Sequence, residues 1–270
     1  MSLRVEATSK FGAYCTRRDF YGPGYSPVRQ RDPEIVREAA VLILLKRTVR
    51  TTEKTCDSPA TDCQLLLTLR AEHLRRSPGE VAFPGGTREL NDQSPISTAL
   101  RESLEEVGVP SEFVSVIGCL PPLRTRLKFA LFPVVAVLEE QVDFVPVKDQ
   151  SEVQLCFWLP LQRFLSTDGY GTTAFGMHIF DDKVGDVPVS TWGLTSYLCI
   201  IAAMIFYGTK PDFLFPNLHA FGQVEYPMFE QWKHKLNQEQ SSKKVVETLL
   251  DLGIVGLYAA NIERHLRAKL

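Results

Sequence analysis

The sequence predicts an α/β fold, because apolar segments of strand length alternate with two segments that have the marks of helices. The strand-like segments are short and rich in aliphatic residues: Ala39–Leu45, Gln64–Leu69, Phe113–Leu120 and Phe129–Leu138. One predicted helix ends at Gly108, a residue free to take positive φ. The second is the apolar run Leu194–Tyr207, which is followed by Gly208 and Pro211.

The second half of the chain adds a short helix and a hairpin to this order. The segment Trp158–Leu161 predicts the end of a strand and the start of a short helix. A hairpin is predicted from His178–Phe180 and Val187–Val189, turning across Asp181 and Asp182. A membrane span needs about 20 apolar residues, so the run at 194–207 predicts a buried helix and no membrane span.

Composition limits the class of protein. The 270 residues are 44% hydrophobic, which is enough for one domain with a full core and appendages. Residues 1–33, rich in Arg, Tyr, Gly and Pro, predict a loosely packed arm. A net charge of −2 gives no sign of nucleic-acid binding. The six cysteines show neither zinc spacing nor a paired framework, and no signal peptide is visible, so they predict free thiols in a reducing compartment.

The helix that ends at Gly108 carries three carboxylates, Glu102, Glu105 and Glu106, at spacings that place them on one face. Crowded like charges repel one another. A divalent cation such as Mg²⁺ relieves that repulsion and keeps positions for water and substrate phosphates. The pattern therefore predicts a metal-dependent site that hydrolyses a phosphoanhydride. The ordinary alternative is a solvated acidic helix with i, i+4 ion pairs.

Residues around the acids agree with this prediction. Arg101 lies four residues before Glu105 and is predicted to hold that carboxylate in place. Ser94 or Ser97 is predicted to cap the helix. Upstream, Phe83–Gly86 predicts a strand that ends in a glycine loop, where the backbone can approach a ligand closely. The helix face turned away from the acids is predicted to consist of Ala99, Leu100, Ser103, Leu104 and Val107.

Residues 86–109 resemble the Nudix box, which is a glycine followed by an acidic position and then Arg-Glu-x-x-Glu-Glu-x-Gly. Asp92 stands at the acidic position, and the spacing from it to Arg101 is one residue longer than usual. Ser103 stands where a larger aliphatic residue is common. The resemblance implies the Nudix fold, a mixed β-sheet packed between helices. The resemblance covers roughly residues 36–220. The predicted organisation is an N-terminal arm at 1–35, a Nudix hydrolase domain at 36–235 and a C-terminal helical tail at 236–270.

Residues 66–86 are similar to a motif that precedes the Nudix box in the coenzyme A diphosphatase branch: Leu-Leu-Thr-x-Arg, then Arg, Gly, Val and Phe-Pro-Gly-Gly. Ala71 replaces a serine often found there. The segment is cationic, and arginine holds phosphate in a bidentate fork; its basic residues are Arg70, His73, Arg75 and Arg76. Taken alone, a solvated basic loop is an equal alternative. The resemblance favours binding of coenzyme A through Arg70, Arg75, Arg76, Gly85 and Gly86.

The resemblance implies hydrolysis of the coenzyme A diphosphate, and of acyl-coenzyme A, to 3′,5′-ADP and 4′-phosphopantetheine or its acyl form. Mg²⁺ or Mn²⁺ is the implied cofactor, and its implied ligands are Glu102, Glu105, Glu106 and the Gly86 carbonyl. Glu105, Glu106 and Arg101 are the implied catalytic residues. Glu152 is predicted as general base or extra ligand, with a plain surface carboxylate as the alternative.

Three other hypotheses stay open. The first is a Nudix hydrolase for NADH or nucleotide sugars, which has no use for the arginine loop. The second is an RNA-cap hydrolase, which the near-neutral charge disfavours. The third is a non-catalytic Nudix module that binds a nucleotide or a partner; such modules usually lose one of the acids, and this chain has all of them.

The chain ends Ala268-Lys269-Leu270, a variant of the Ser-Lys-Leu peroxisomal address. The tripeptide predicts a peroxisomal import receptor as partner and the peroxisome as location, with mitochondrion or cytosol as alternatives. A helix end that closes in basic residues is the ordinary explanation.

Overall fold

The computed structural model describes residues 2–12, 15, 37–47, 63–120, 122–124, 129–139, 146, 151–173 and 177–215. The predicted C-terminal tail and its last tripeptide lie outside these residues. The boundaries predicted for the arm, the domain and the tail therefore stay predictions.

A mixed eight-stranded sheet forms the centre of the molecule. Five strands run in the order β3-β2-β1-β7-β5, while β4 pairs with β1, β6 with β7 and β8 with β2. The central strands β1 and β7 are parallel, and the other pairs are antiparallel. The strands are β1 (Arg37–Arg47), β2 (Cys63–Arg70), β3 (Val81–Ala82), β4 (Gly85–Thr87), β5 (Val114–Cys119), β6 (Leu123–Arg124), β7 (Phe129–Leu138) and β8 (Val153–Pro160).

Helices cover both faces of this sheet, so the predicted layered arrangement is confirmed. They are α1 (Leu3–Phe11), α2 (Pro95–Val107) and α3 (Gly193–Tyr207). Side chains alternate across β1. Leu42 and Leu44 join the core that contains α2 residues, while Ile43 and Leu45 join the larger core that contains α1 and α3 residues.

Helix α3 is buried along almost its whole length, as its uniformly apolar sequence predicts. It packs against the 3₁₀ helix Leu161–Leu165, which follows β8 as predicted. No helix among the described ranges is long and apolar enough to cross a membrane. The cysteines within these ranges are free thiols, and Cys56 lies outside them.

Helix α1 was not predicted. The arm was expected to be loosely packed, yet Leu3, Ala7 and Phe11 are fully buried within it. They are spaced four residues apart, so they form one apolar stripe. The helix lies against α3, β5 and β7.

A second, three-stranded antiparallel sheet precedes α3; its strands are β9 (Tyr170–Thr172), β10 (His178–Val184) and β11 (Val187–Trp192). The hairpin is confirmed, but its predicted turn is wrong. Asp181 and Asp182 lie inside β10 and pair with Ser190 and Val189. The turn falls at Gly185, whose φ of 60° suits a tight hairpin.

Candidate functional site

Local sequence fixes both ends of α2. Ser94 is the N-cap, and its side chain and that of Ser97 each accept the other's backbone N–H. Pro95 occupies the first turn, and Gly108 ends the helix at φ 67°. One residue of the predicted apolar face is wrong, since Leu104 is 52% exposed. The buried face instead passes through Ile96, Ala99, Ser103 and Val107, and Leu104 lies about 100° around the helix from Ser103.

Glu106 is the most deeply buried of the three helix acids, with 4% of its side chain exposed. Its Oε2 accepts the Gly85 N–H at 2.9 Å, and its Oε1 lies 3.6 Å from Arg70 Nη1. Burial raises the pKa of Glu106 to about 7; the Gly85 and Arg70 contacts oppose this rise, and the charges of Glu102 and Glu152 add to it. A nearby cation would stabilise the ionised form of this buried carboxylate and lower its pKa.

Arg101 contacts the other two helix acids. Its Nη2 lies 2.9 Å from Glu102 Oε1, and its Nη1 lies 2.8 Å from Glu105 Oε2. The predicted pairing with Glu105 is therefore confirmed, and Glu102 is an added partner. Burial raises the pKa of Glu102, and the Arg101 contact offsets this only in part.

Asp92, the acidic position of the box, fixes the other side of Arg101. Its two carboxylate oxygens accept from Arg101 Nε and Nη2 at 3.1 and 3.0 Å. Burial pushes the pKa of Asp92 up, but the hydrogen bond from Arg101 and that from the Glu89 N–H leave the pKa lowered. Sequence reasoning placed Asp92 in the box and missed this contact, although the motif alone contains both residues.

The two glycines lie in a strand rather than in the predicted loop, because β4 pairs with β1. Gly86 lies opposite Ala40, and Gly85 lies opposite Val41. Gly85 has a φ of 153°, and a Cβ there would lie 2.3 Å from the Ala40 carbonyl oxygen. A Cβ on Gly86 would lie 2.5 Å from Glu102 Oε1. Glycine at 86 therefore lets the Glu102 carboxylate lie directly against the backbone.

Glu152 and the cationic segment meet beside these acids. The Ala71 N–H donates to the Glu152 carbonyl at 2.9 Å. The Glu152 charge raises the pKa values of both Glu102 and Glu106, which places its carboxylate within electrostatic reach of the site. Arg70 contacts Glu106 directly, whereas Arg75 and Arg76 lie exposed between β2 and β3.

Within the described ranges, no group of three or more His, Cys, Asp or Glu side chains is arranged to hold a metal ion. The reason is visible in the contacts, since Arg101 holds Glu102 and Glu105 while Gly85 and Arg70 hold Glu106. The donor set nevertheless fits a hard cation, because its members are carboxylates, which supply the oxygen ligands that such a cation binds. A cation at this position requires the acids to exchange part of these contacts.

Comparisons with known proteins show what the chain is similar to. The model of the NUDIX domain matches residues 51–174. The chain is 36% identical over 182 residues to the peroxisomal coenzyme A diphosphatase ndx-8 of Caenorhabditis elegans, which covers 65% of this chain and 71% of that protein. It is 32% identical over 160 residues to the mitochondrial Nudix hydrolase 15 of Arabidopsis thaliana, covering 57% of this chain and 56% of the relative.

A solved structure of a Nudix hydrolase from M. Smegmatis, RenU, is a more distant likeness. It has a TM-score of 0.37 and 21% sequence identity, and the match covers 47% of this chain and 72% of that one. The matched domain model and the similarity to ndx-8 show the family. The chain belongs to the Nudix hydrolase family.

Proposed function

We propose that this Nudix hydrolase cleaves the diphosphate of coenzyme A and of acyl-coenzyme A, giving 3′,5′-ADP and 4′-phosphopantetheine or its acyl form. The observation that carries the proposal is the contact of Arg70 with Glu106, at 3.6 Å. Arg70 belongs to the motif similar to that of coenzyme A diphosphatases, and Glu106 belongs to the Nudix box. Their contact places the cationic segment beside the acids of the box, which supports binding of a phosphate there, and the name of the relative ndx-8 supports the same substrate.

Mg²⁺ or Mn²⁺ would be held by Glu102, Glu105 and Glu106 with the Gly86 carbonyl. When bound, such an ion neutralises diphosphate charge and lowers the pKa of a water molecule. Burial is the main cause of the raised pKa values of Glu102 and Glu106, and repulsion between the acids adds to it; a bound ion would offset that repulsion. Because both acids are buried in part, that repulsion is weakly screened.

The chain's own residues would bind the substrate and orient the acids that hold the metal. Arg70, Arg75 and Arg76 would contact the substrate phosphates, while Gly85 and Gly86 would let the acids Glu106 and Glu102 lie against the backbone beside them. Arg101 would keep Glu105 in a productive rotamer. We propose Glu152 as the group whose carboxylate accepts a proton from the attacking water, or as an additional ligand. Catalysis would then consist mainly of positioning and charge stabilisation.

A substrate comparison tests the coenzyme A proposal. Rates are measured for coenzyme A, dephospho-coenzyme A and NADH with the full chain, and again with an Arg75→Gln, Arg76→Gln variant. We expect coenzyme A to be preferred and the variant to lose that preference, because its loop no longer holds the 3′-phosphate. Equal rates on the first two substrates in the wild type would contradict the phosphate-binding role of the loop. A preference for NADH would instead support the dinucleotide hypothesis.

Location in the peroxisome is part of the same proposal. The relative ndx-8 is named peroxisomal, whereas the Arabidopsis relative is named mitochondrial. The sequence Ala268-Lys269-Leu270 favours the peroxisome. A reporter fused to residues 259–270 should enter peroxisomes, and the same reporter without the last three residues should stay diffuse. A diffuse reporter in both cases would remove this part of the proposal.

Replacing Arg101 by lysine should slow turnover by roughly 10–100-fold, the usual effect of losing a residue that orients metal ligands. Lysine keeps the charge but has one nitrogen, which cannot reach Asp92, Glu102 and Glu105 together. The free energy of unfolding should also fall by about 1–3 kcal/mol, because Asp92 is buried. Steady-state kinetics and urea unfolding measure the two effects. Arg4→Lys, at an exposed arginine, is the matched control, and equal kinetics in both variants would contradict the role of Arg101.

A further inference from the structure

Arg88, at a position that the Nudix box leaves open, connects the first strand to the acidic site. Its Nη1 lies 3.2 Å from Glu38 Oε2 on β1. Its Nε and Nη2 donate to the main-chain carbonyl of Asp92 at 3.1 and 2.9 Å. Its own N–H donates to the Glu38 carbonyl at 2.9 Å. Both side chains are largely buried, Arg88 at 19% and Glu38 at 4% exposed. Arg88 thus ties both ends of the segment 88–92 to β1.

The segment tied down in this way carries the residue that orients Arg101. Glu89 and Asp92 close a turn on each other, since the Glu89 N–H donates to Asp92 Oδ2 at 2.9 Å and the Asp92 N–H donates to the Glu89 carbonyl at 3.2 Å. The Asp92 carboxylate then binds Arg101, which in turn binds Glu102 and Glu105. A continuous series of ion pairs and hydrogen bonds therefore runs from β1 to the acids.

We propose that Arg88 is a positioning residue for the metal-binding acids: it holds the Asp92 main chain against Glu38 and thereby fixes Arg101, Glu102 and Glu105. The inference rests on the proposed function, because it takes those acids as metal ligands. Only a planar guanidinium can direct two N–H groups to one carbonyl and a third to a carboxylate. A residue that only stabilised the fold through its ion pair with Glu38 would not need this fork.

Arg88→Lys separates these two roles, because lysine keeps a charge beside the buried Glu38 and loses the fork. We expect Mn²⁺ affinity, measured by the electron paramagnetic resonance of free Mn²⁺ without substrate, to fall about tenfold. The kcat for coenzyme A should fall by a similar factor, with KM within about twofold of wild type, because positioning of ligands acts on the chemical step. Thermal unfolding in EDTA should show a folded protein.

Arg163→Lys is the matched control. Arg163 is buried to a similar degree, at 13% exposed, and lies 2.7 Å from Asp182, away from the box. The control should lose stability while keeping Mn²⁺ affinity and kcat. If Arg88→Lys does not fold, Glu38→Gln replaces it. Glutamine still accepts from Arg88 but removes the charge that orients it, so a smaller loss of Mn²⁺ affinity in the same direction is expected.

Each contrary outcome overturns the proposal. Unchanged Mn²⁺ affinity in Arg88→Lys, with stability lowered as in the control, would reduce Arg88 to a structural role. A raised KM at constant kcat would place Arg88 on the substrate instead. Absence of Mn²⁺ binding by the wild type would remove the acids as ligands. If the wild type binds Mn²⁺ but leaves coenzyme A intact, the proposed function fails alone, and the tenfold loss of Mn²⁺ affinity still supports Arg88.

Discussion

Replacing Glu106 by glutamine should abolish turnover and, in the absence of metal, make the protein more stable. The loss of rate should exceed the roughly 10–100-fold typical of residues behind the metal ligands, because Glu106 is itself a proposed ligand. The gain in stability follows from burial, which leaves 4% of this carboxylate exposed and raises its pKa to about 7. Removing that charge at neutral pH should increase the free energy of unfolding by about 1–3 kcal/mol.

The pH dependence of this gain distinguishes it from a general packing effect. The pKa of Glu106 in the folded protein lies above the ordinary glutamate value of 4.5, so between the two values the folded protein binds more protons than the unfolded chain. The free energy of unfolding of the wild type therefore falls as pH rises through this window, because Glu106 must ionise while it is buried. In EDTA, the wild type and Glu106→Gln should unfold at similar temperatures near pH 4.5 and diverge until about pH 7.

Glu112→Gln is the control for Glu106→Gln, since Glu112 is exposed on the 3₁₀ helix that follows α2. It should leave rate and stability unchanged. Added Mn²⁺ should stabilise the wild type and the control, and should have little effect on Glu106→Gln. Retained turnover in Glu106→Gln would overturn the metal assignment, whereas a stability difference independent of pH would overturn the electrostatic explanation.

Replacing Gly86 by alanine should leave the protein folded and reduce kcat at least about 100-fold, the scale of a 1 Å misplacement at a reacting centre. The added Cβ would lie 2.5 Å from Glu102 Oε1. A carboxylate at the end of a flexible side chain moves away at low cost, so the fold survives. The movement displaces an acid that is proposed to bind metal. Kinetics with coenzyme A, together with Mn²⁺ titration and thermal unfolding, measure these effects.

Gly85→Ala should affect the fold instead of the rate alone, and Gly171→Ala is the neutral control. In Gly85→Ala the Cβ would lie 2.3 Å from the backbone oxygen of Ala40 and the φ of 153° is unsuited to alanine, so the fold itself should be lost. In Gly171→Ala no atom of the residues that the structure describes lies within 4 Å of the new Cβ, so activity and stability should be retained. A normal kcat in Gly86→Ala would show that turnover does not depend on the position of the Glu102 carboxylate.

Features encoded by neighbouring residues were predictable from the sequence. Helix α2 carries its own cap, its acids and its terminal glycine within 94–108, and the central strands are continuous apolar runs. The Arg101–Glu105 pair followed from i, i+4 spacing alone. The predicted buried face of α2 was right except at Leu104, which is exposed because it lies at the edge of the apolar stripe.

Features that depend on distant residues were not predictable. Gly85 and Gly86 lie in a strand because β1, more than forty positions earlier, pairs with them. Asp182 lies inside β10, where it pairs with Val189 of β11, and its partner Arg163 lies 19 residues earlier at 2.7 Å. Glu38 and Arg88 are 50 residues apart, and neither residue type indicates a buried ion pair on its own. Helix α1 is stabilised by burial of Leu3, Ala7 and Phe11, which a composition rich in turn residues concealed.

Product analysis by mass spectrometry shows whether this chain hydrolyses coenzyme A. The full chain is incubated with coenzyme A and Mg²⁺ or Mn²⁺, beside Glu106→Gln as the inactive variant, and the products are identified by mass spectrometry. We expect 3′,5′-ADP and 4′-phosphopantetheine from the wild type in a metal-dependent reaction, with neither product from the variant. Intact coenzyme A after incubation with folded, metal-bound wild type would contradict the claim, as would equal product from wild type and variant.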